Sequence, residues 1–160
     1  MFIPVEKSAD KETNYQKLLE TLPYYLNADE PWYTTLSNAA GIIDYFLDDV
    51  NWVGFYIREE SQLFLGPFQG LPACTKIFFG RGVCGTAAEK GETVVVRDVD
   101  AFEGHIACDS NSKSEIVVPL FKSGVLFGVL DIDSPEEARF DATDRLALEK
   151  VARVIVDNLS

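Results

Sequence analysis

Glu115-Ile-Val-Val-Pro-Leu-Phe121, Lys122-Ser-Gly124 and Val125-Leu-Phe-Gly-Val-Leu-Asp-Ile-Asp133 form one unbroken stretch, and its reading decides the fold. Two runs rich in β-branched and aromatic residues flank a hairpin-length connection containing glycine, which predicts two antiparallel strands lying side by side. Upstream, Asn51-Trp-Val-Gly-Phe-Tyr-Ile57 has the same character and predicts the first strand of the sheet. Gln62 to Leu65 predicts another strand, ending at the turn-prone pair Gly66-Pro67, and Thr75 to Phe79 a third, ending before Gly80-Arg-Gly82. Thr93 to Val96 supplies a further β-branched run, for a sheet of about six strands.

Helical spacing brackets these strands. Tyr15, Leu18, Leu19 and Leu22 recur at helical intervals between Ser8 and about Leu26, with Pro23 near the end of the run. A second pattern, Leu36, Ala39, Ala40, Ile43 and Phe46, spans Trp32 to Phe46, with Gly41 as a weak helix former inside it. Val83 to Lys90 predicts a short helix closed by Gly91. The last helix starts near Asp141, where Asp141 and Asp144 make an acidic, cap-like start, and continues through Leu148, Val151, Ile155 and Leu159. The order of elements predicts one α+β domain over residues 1–160: an antiparallel sheet with the N- and C-terminal helices on one face and a ligand pocket on the other.

Composition narrows the function. The 160 residues carry 26 acidic against 14 basic side chains, a formal charge of −12, which argues against a nucleic acid partner because phosphate binding needs clustered Lys and Arg. Met1-Phe-Ile-Pro-Val5 turns charged at Glu6 and Lys7, leaving no apolar stretch for a leader or a membrane span, so the expected location is the cytoplasm. Three cysteines are an odd number in a domain large enough to need no disulfide scaffold, which leaves thiol chemistry, metal binding or packing to explain them.

Asp131 and Asp133 are two apart on a strand, so their carboxylates project from one face while Ile132 faces the other. Mutual repulsion would raise one pKa, suiting a proton donor or a partner for an ammonium group; the alternative is a strand that simply ends in solvent. Trp52 and Tyr56 also share a face and would serve either as an aromatic wall for a small ligand or as core. Cys74, Cys84 and Cys108 each stand beside turn or loop residues. Cys84 falls at a predicted helix start, where backbone N–H groups and the helix dipole would favour a thiolate. Asp98 to Ser114 is a long connection of the kind more often functional than idle, and it holds Cys108 and the sole histidine, His105, which reads as a surface loop residue. With no Cys-x-x-Cys pair and one histidine, a tetrahedral zinc site is poorly supported and no metal is expected.

Taken together, Asn51-Trp-Val-Gly-Phe-Tyr56, Leu65-Gly-Pro-Phe-Gln-Gly70, Pro72-Ala-Cys74, Gly80-Arg-Gly-Val-Cys-Gly85, His105-Ile-Ala-Cys-Asp109 and Gly128-Val-Leu-Asp-Ile-Asp-Ser134 resemble the free methionine-R-sulfoxide reductases, a family built on the GAF domain. The likeness runs from about Tyr15 to Leu159. It implies a GAF-like fold and an oxidoreductase that reduces free L-methionine (R)-S-oxide by cysteine sulfenic acid and disulfide chemistry, recycled by thioredoxin, with a place in oxidative stress. The resemblance implies Cys108 as the nucleophile, Cys74 and Cys84 as redox partners with Cys74 the main resolving thiol, Trp52 and Tyr56 as pocket walls, and Glu115, Asp131 and Asp133 as the groups that handle the sulfoxide and the amino group. It implies no metal or organic cofactor, and a homodimer. Two other readings remain open: a GAF module that binds a small molecule or senses redox state without catalysis, and a reductase acting on methionine sulfoxide in polypeptides.

Overall fold

The computed structural model describes residues 1–106, 108 and 110–160. Ala107 and Asp109, within the stretch His105 to Asp109, lie outside the described residues. The helices are α1 (Lys11–Thr21), continued by a 3₁₀ turn at Leu22–Tyr25, then α2 (Trp32–Phe46), α3 (Gly82–Lys90) and α4 (Ala142–Asp157). The strands are β1 (Trp52–Glu59), β2 (Gln62–Gln69), β3 (Lys76–Phe78), β4 (Val94–Val96), β5 (Ser114–Lys122) and β6 (Val125–Ser134). They form one sheet in the order β3-β2-β1-β6-β5-β4, with every neighbouring pair antiparallel.

Local chemistry accounts for the element ends. Asp10 caps α1 by accepting from the Thr13 N–H at 2.8 Å. Asp141 and Asp144 form a reciprocal capping box at the start of α4. Gly91 closes α3 in the left-handed conformation, at φ 66°. The β5–β6 hairpin turns at Ser123 and Gly124, both at positive φ, as the tightest hairpin loops require.

One predicted boundary is corrected. β2 runs through Gly66-Pro67 and ends at Gln69. Opposite it, Gly54 pairs with Phe68 and Tyr56 with Leu65, so β2 holds one residue more than β1 between those rungs. Gly66-Pro67 therefore forms a bulge, a place where a strand tolerates proline because the ladder is already interrupted.

The two faces of the sheet carry different loads. Val53 and Phe55 of β1, Ile116, Val118 and Leu120 of β5, and Leu130 and Ile132 of β6 pack against Leu18, Leu36, Ile43, Phe46, Leu148, Val151 and Ile155 of the three terminal helices. The opposite residues, Trp52, Tyr56, Val117 and Val129, meet Val83, Cys84, Ala87 and Ala88 of α3. The period-two alternation thus gives the terminal helices one face and α3 the other, which leaves the α3 side for a site. Among the described residues no helix is long and apolar enough to cross a membrane.

Candidate active site

The α3 face of the sheet brings three carboxyl groups together by register. Glu115 of β5 stands opposite Asp133 of β6, and Asp131 lies two residues along β6 on the same face. β1 places Gly54 opposite Asp131, so that residue sends no side chain of its own toward the carboxyl. Glu115 and Asp131 are each only 6% exposed, which removes the reading of a strand end in solvent; Asp133 is half-buried. Asp131 Oδ1 has no hydrogen-bond partner.

These groups line a small cavity with Tyr56, Ile77, Arg81, Gly82, Val83, Cys84, His105, Ile106, Cys108 and Ser112. It encloses about 30 Å³, room for a water or two but not for an amino acid. Its outer side is closed by the connection after β4, which folds back over the sheet with Val99 N–H donating to Lys113 O at 2.9 Å and Asn51 Nδ2 donating to Ser112 Oγ at 3.2 Å. Cys108, on this connection, forms a disulfide with Cys74, whose sequence neighbours link β2 to β3. Tyr56 fixes the other end of that bond, its hydroxyl donating to the Cys74 carbonyl at 2.9 Å.

Trp52 takes the second of the two places open to it, packed in the core beside the cavity of the disulfide form. It is not among the cavity-lining residues; its ring stacks between Tyr56, at 6.0 Å between centroids, and Phe68, at 5.3 Å. Gly54 makes this possible, because a β-carbon there would collide with the Trp52 ring and with Phe68 Cβ. The indole N–H donates to Leu71 O at 3.0 Å. Trp52 therefore buttresses Tyr56, and Tyr56 alone of the pair reaches the cavity.

Cys84 is also corrected. It sits near the start of α3, but it is buried, and its thiol lies 3.9 Å from Glu115 Oε1 as a hydrogen-bond donor. Burial, followed by the charges of Asp131 and Glu115, pushes its pKa well up, so it stands as a neutral thiol and not as the thiolate that a helix start favours. The same forces act on the carboxyls. Burial, then the charges of Asp131 and Asp133, raise Glu115 well above the ordinary carboxylate range. Asp131 is raised to about 6, again chiefly by burial. These shifts favour the protonated, hydrogen-bond-donating form of Glu115 beside Asp131.

His105 and Arg81 join the site without having been expected there. The His105 side chain is 15% exposed, with Nε2 4.0 Å from Glu115 Oε2, and burial lowers its pKa so that it is neutral near pH 7. Arg81 precedes α3 and supplies the one permanently cationic side chain among the lining residues. Both come from irregular segments, where no periodicity points inward; the sole hint in the sequence is that His105 lies three residues from Cys108.

A six-stranded antiparallel sheet with terminal helices on one face and a thiol- and carboxyl-lined cavity on the other defines a GAF-type domain equipped for redox chemistry on a small molecule. The GAF domain family matches residues 10–158. The free methionine-R-sulfoxide reductase of Saccharomyces cerevisiae is 45% identical over 154 residues, covering 91% of this chain and 86% of the yeast protein. That of Escherichia coli is 48% identical over 117 residues, covering 73% of this chain and 71% of its own. The enzyme of the same kind from Neisseria meningitidis, solved in complex with its substrate, superposes with a TM-score of 0.93 at 46% identity, covering 99% of this chain and 95% of that one. The chain belongs to the GAF-domain family and, within it, to the free methionine-R-sulfoxide reductases.

Proposed function

We propose that this protein reduces free L-methionine (R)-S-oxide to methionine, with Cys108 as nucleophile and Cys74 as resolving thiol. The observation that carries the reading is the Cys74–Cys108 bond, placed at the wall of a cavity that also holds Glu115, Asp131 and Asp133. The sulfoxide oxygen is a poor leaving group, so attack at sulfur needs a thiolate on one side and a proton donor on the other. Glu115, protonated by its surroundings, supplies the donor. In the dithiol form the Cys108 thiolate attacks the sulfur, the oxygen passes to Cys108 as a sulfenic acid, and methionine departs as the thioether. The Cys74 thiol then attacks the sulfenic sulfur; the sulfenic hydroxyl, whose proton came from Glu115, leaves as water with the proton of Cys74, and the disulfide forms. A thioredoxin dithiol takes up the disulfide and restores both thiols.

Asp131, with an oxygen that has no partner, and Asp133 receive the ammonium group of the free amino acid, and Arg81 receives its carboxylate. A residue within a polypeptide offers neither charge, so the site rejects it. Tyr56 faces the thioether and methyl carbons, backed by Trp52. The cavity of the disulfide form is too small for the substrate, which makes reduction the event that admits it. The reaction calls for no metal or organic cofactor. A cytoplasmic protein meeting thioredoxin, and acting as a pair of chains through its terminal helices, completes the proposal.

The test is turnover of free and peptide-bound methionine sulfoxide, each epimer separately, with an NADPH-coupled thioredoxin system. Free R epimer alone should be consumed; Cys108→Ser should release no methionine, and Cys74→Ser about one equivalent per enzyme before stalling. Multiple turnover by Cys108→Ser would remove the assignment, and no turnover by the intact protein would favour a sensor module.

A further inference from the structure

Sequence spacing argues against a metal site because no two cysteines stand close together. The fold assembles ligands in another way, from α3, β5 and β6. One atom each of Cys84, Glu115 and Asp131, the sulfur and two carboxylate oxygens, lie within 4.8 Å of one another, all buried. We propose that Cys84, Glu115 and Asp131, with His105 as an adjoining donor, form a binding site for a thiophilic divalent cation such as zinc inside the cavity. The site would be inhibitory, since an ion there excludes the amino acid.

Geometry sets the first condition. Zinc holds sulfur at about 2.3 Å and oxygen at about 2.0 Å, so tetrahedral ligand atoms stand roughly 3.3–3.8 Å apart. Closing from the present spacing takes about 1 Å, within reach of small side-chain rotations. His105 Nε2, 4.0 Å from Glu115 Oε2, can complete the set, or a water can. The cavity volume of about 30 Å³ accommodates one ion.

A second, independent observation points to a ligand. Asp131 Oδ1 is buried without a hydrogen-bond partner, a costly state that a cation relieves. The three acidic groups repel one another once ionised, and a doubly charged ion turns that repulsion into attraction, releasing the protons of Cys84 and Glu115 as it binds. Sulfur among the ligands, and a small coordination number, select zinc over magnesium or calcium. Cys74 and Cys108 are tied to each other, so in this form Cys84 is the one thiol available.

The inhibition rests on the reductase reading, but binding of the ion does not, and binding is tested on the disulfide form, which does not turn over. Cobalt(II), added without reductant, should bind at about one equivalent, with sulfur-to-cobalt charge-transfer absorption and proton release. Zinc should displace it. The absorption should vanish in Cys84→Ser, and affinity should fall at least tenfold in Asp131→Asn; thermal unfolding of each variant verifies that it is folded. Absence of the band in the unaltered disulfide protein, or its survival in Cys84→Ser, would overturn the proposal, whatever the protein does with methionine sulfoxide.

Discussion

Placing three carboxyl groups and a thiol on one buried patch of sheet costs folding free energy, and the cost depends on pH. Glu115 and Asp131 hold protons in the folded protein that they lose near pH 4 when unfolded, so between about pH 4 and 6 the folded state binds more protons and stability falls as pH rises. Glu115, raised by the same burial, adds to the loss in the same direction. Glu115→Gln keeps the shape and removes a charge, so it should stabilise the protein at pH 8 by about 1 kcal/mol, with less gain at pH 5. The same change should slow reduction by roughly a hundredfold or more, since the amide has no proton to give. Urea unfolding at the two pH values checks the first part; equal stability at pH 8 would mean that the carboxyls do not strain the fold. The Asp131–Asp133 face was legible from the two-residue period alone. The state of Cys84 was not, because a nine-residue helix of small side chains gives no sign of which turn is sealed beneath the sheet. The inward places of His105 and Arg81 were equally hidden, for irregular backbone has no period to read.

Elements meet at a different buried acid. Asp144 in the first turn of α4 has no exposed side-chain surface and accepts from Tyr15 Oη at 2.7 Å, Lys11 Nζ at 2.7 Å and Arg139 at 3.0 Å, while holding the Asp141 N–H at 2.8 Å. It therefore joins α1, the start of α4 and the segment after β6, on the side of the sheet away from the cavity. Asp144→Ala takes the carboxylate from the buried Tyr15 phenol and from Arg139, while Lys11 keeps Asp141 at 3.0 Å, and should cost about 3 kcal/mol. Activity per folded molecule should remain, because none of these groups lines the cavity. Calorimetry alongside kinetics of the folded fraction separates the two; a stable but inactive variant would show that α4 communicates with the site. The acidic start of α4 could be read from sequence, as could the β5–β6 hairpin with its Ser123-Gly124 turn. The passage of β2 through Gly66-Pro67 could not, because those residues mark a turn and a bulge alike and only the partner strand tells them apart. Strand order is the larger gap: β6 lies between β1 and β5, and no local pattern encodes which distant strand supplies a neighbour.

Across the whole molecule, one covalent bond ties the segment over the cavity to the link between β2 and β3. Cys74 and Cys108 are 34 residues apart, and closing a loop of that length removes enough unfolded-state entropy to be worth about 3–4 kcal/mol. For a chain of this size that is a fall in Tm of roughly 10 °C on reduction. The change should be local in the folded state. Among the described residues few backbone bonds hold the connection that carries Cys108, and the Val99, Phe102, His105 and Cys108 N–H groups each donate to a carbonyl of that same segment. By contrast β1, β5 and β6 are laddered on both edges and buried on both faces. Hydrogen exchange with and without a thiol reductant should therefore show these four amides exchanging faster in the dithiol form, while those of β1 and β6 remain protected. Methionine sulfoxide added to the dithiol form should return the slow pattern as the disulfide closes. If the four amides are equally protected in both redox states, reduction does not open the cavity, and the substrate must enter without help from the Cys108 segment.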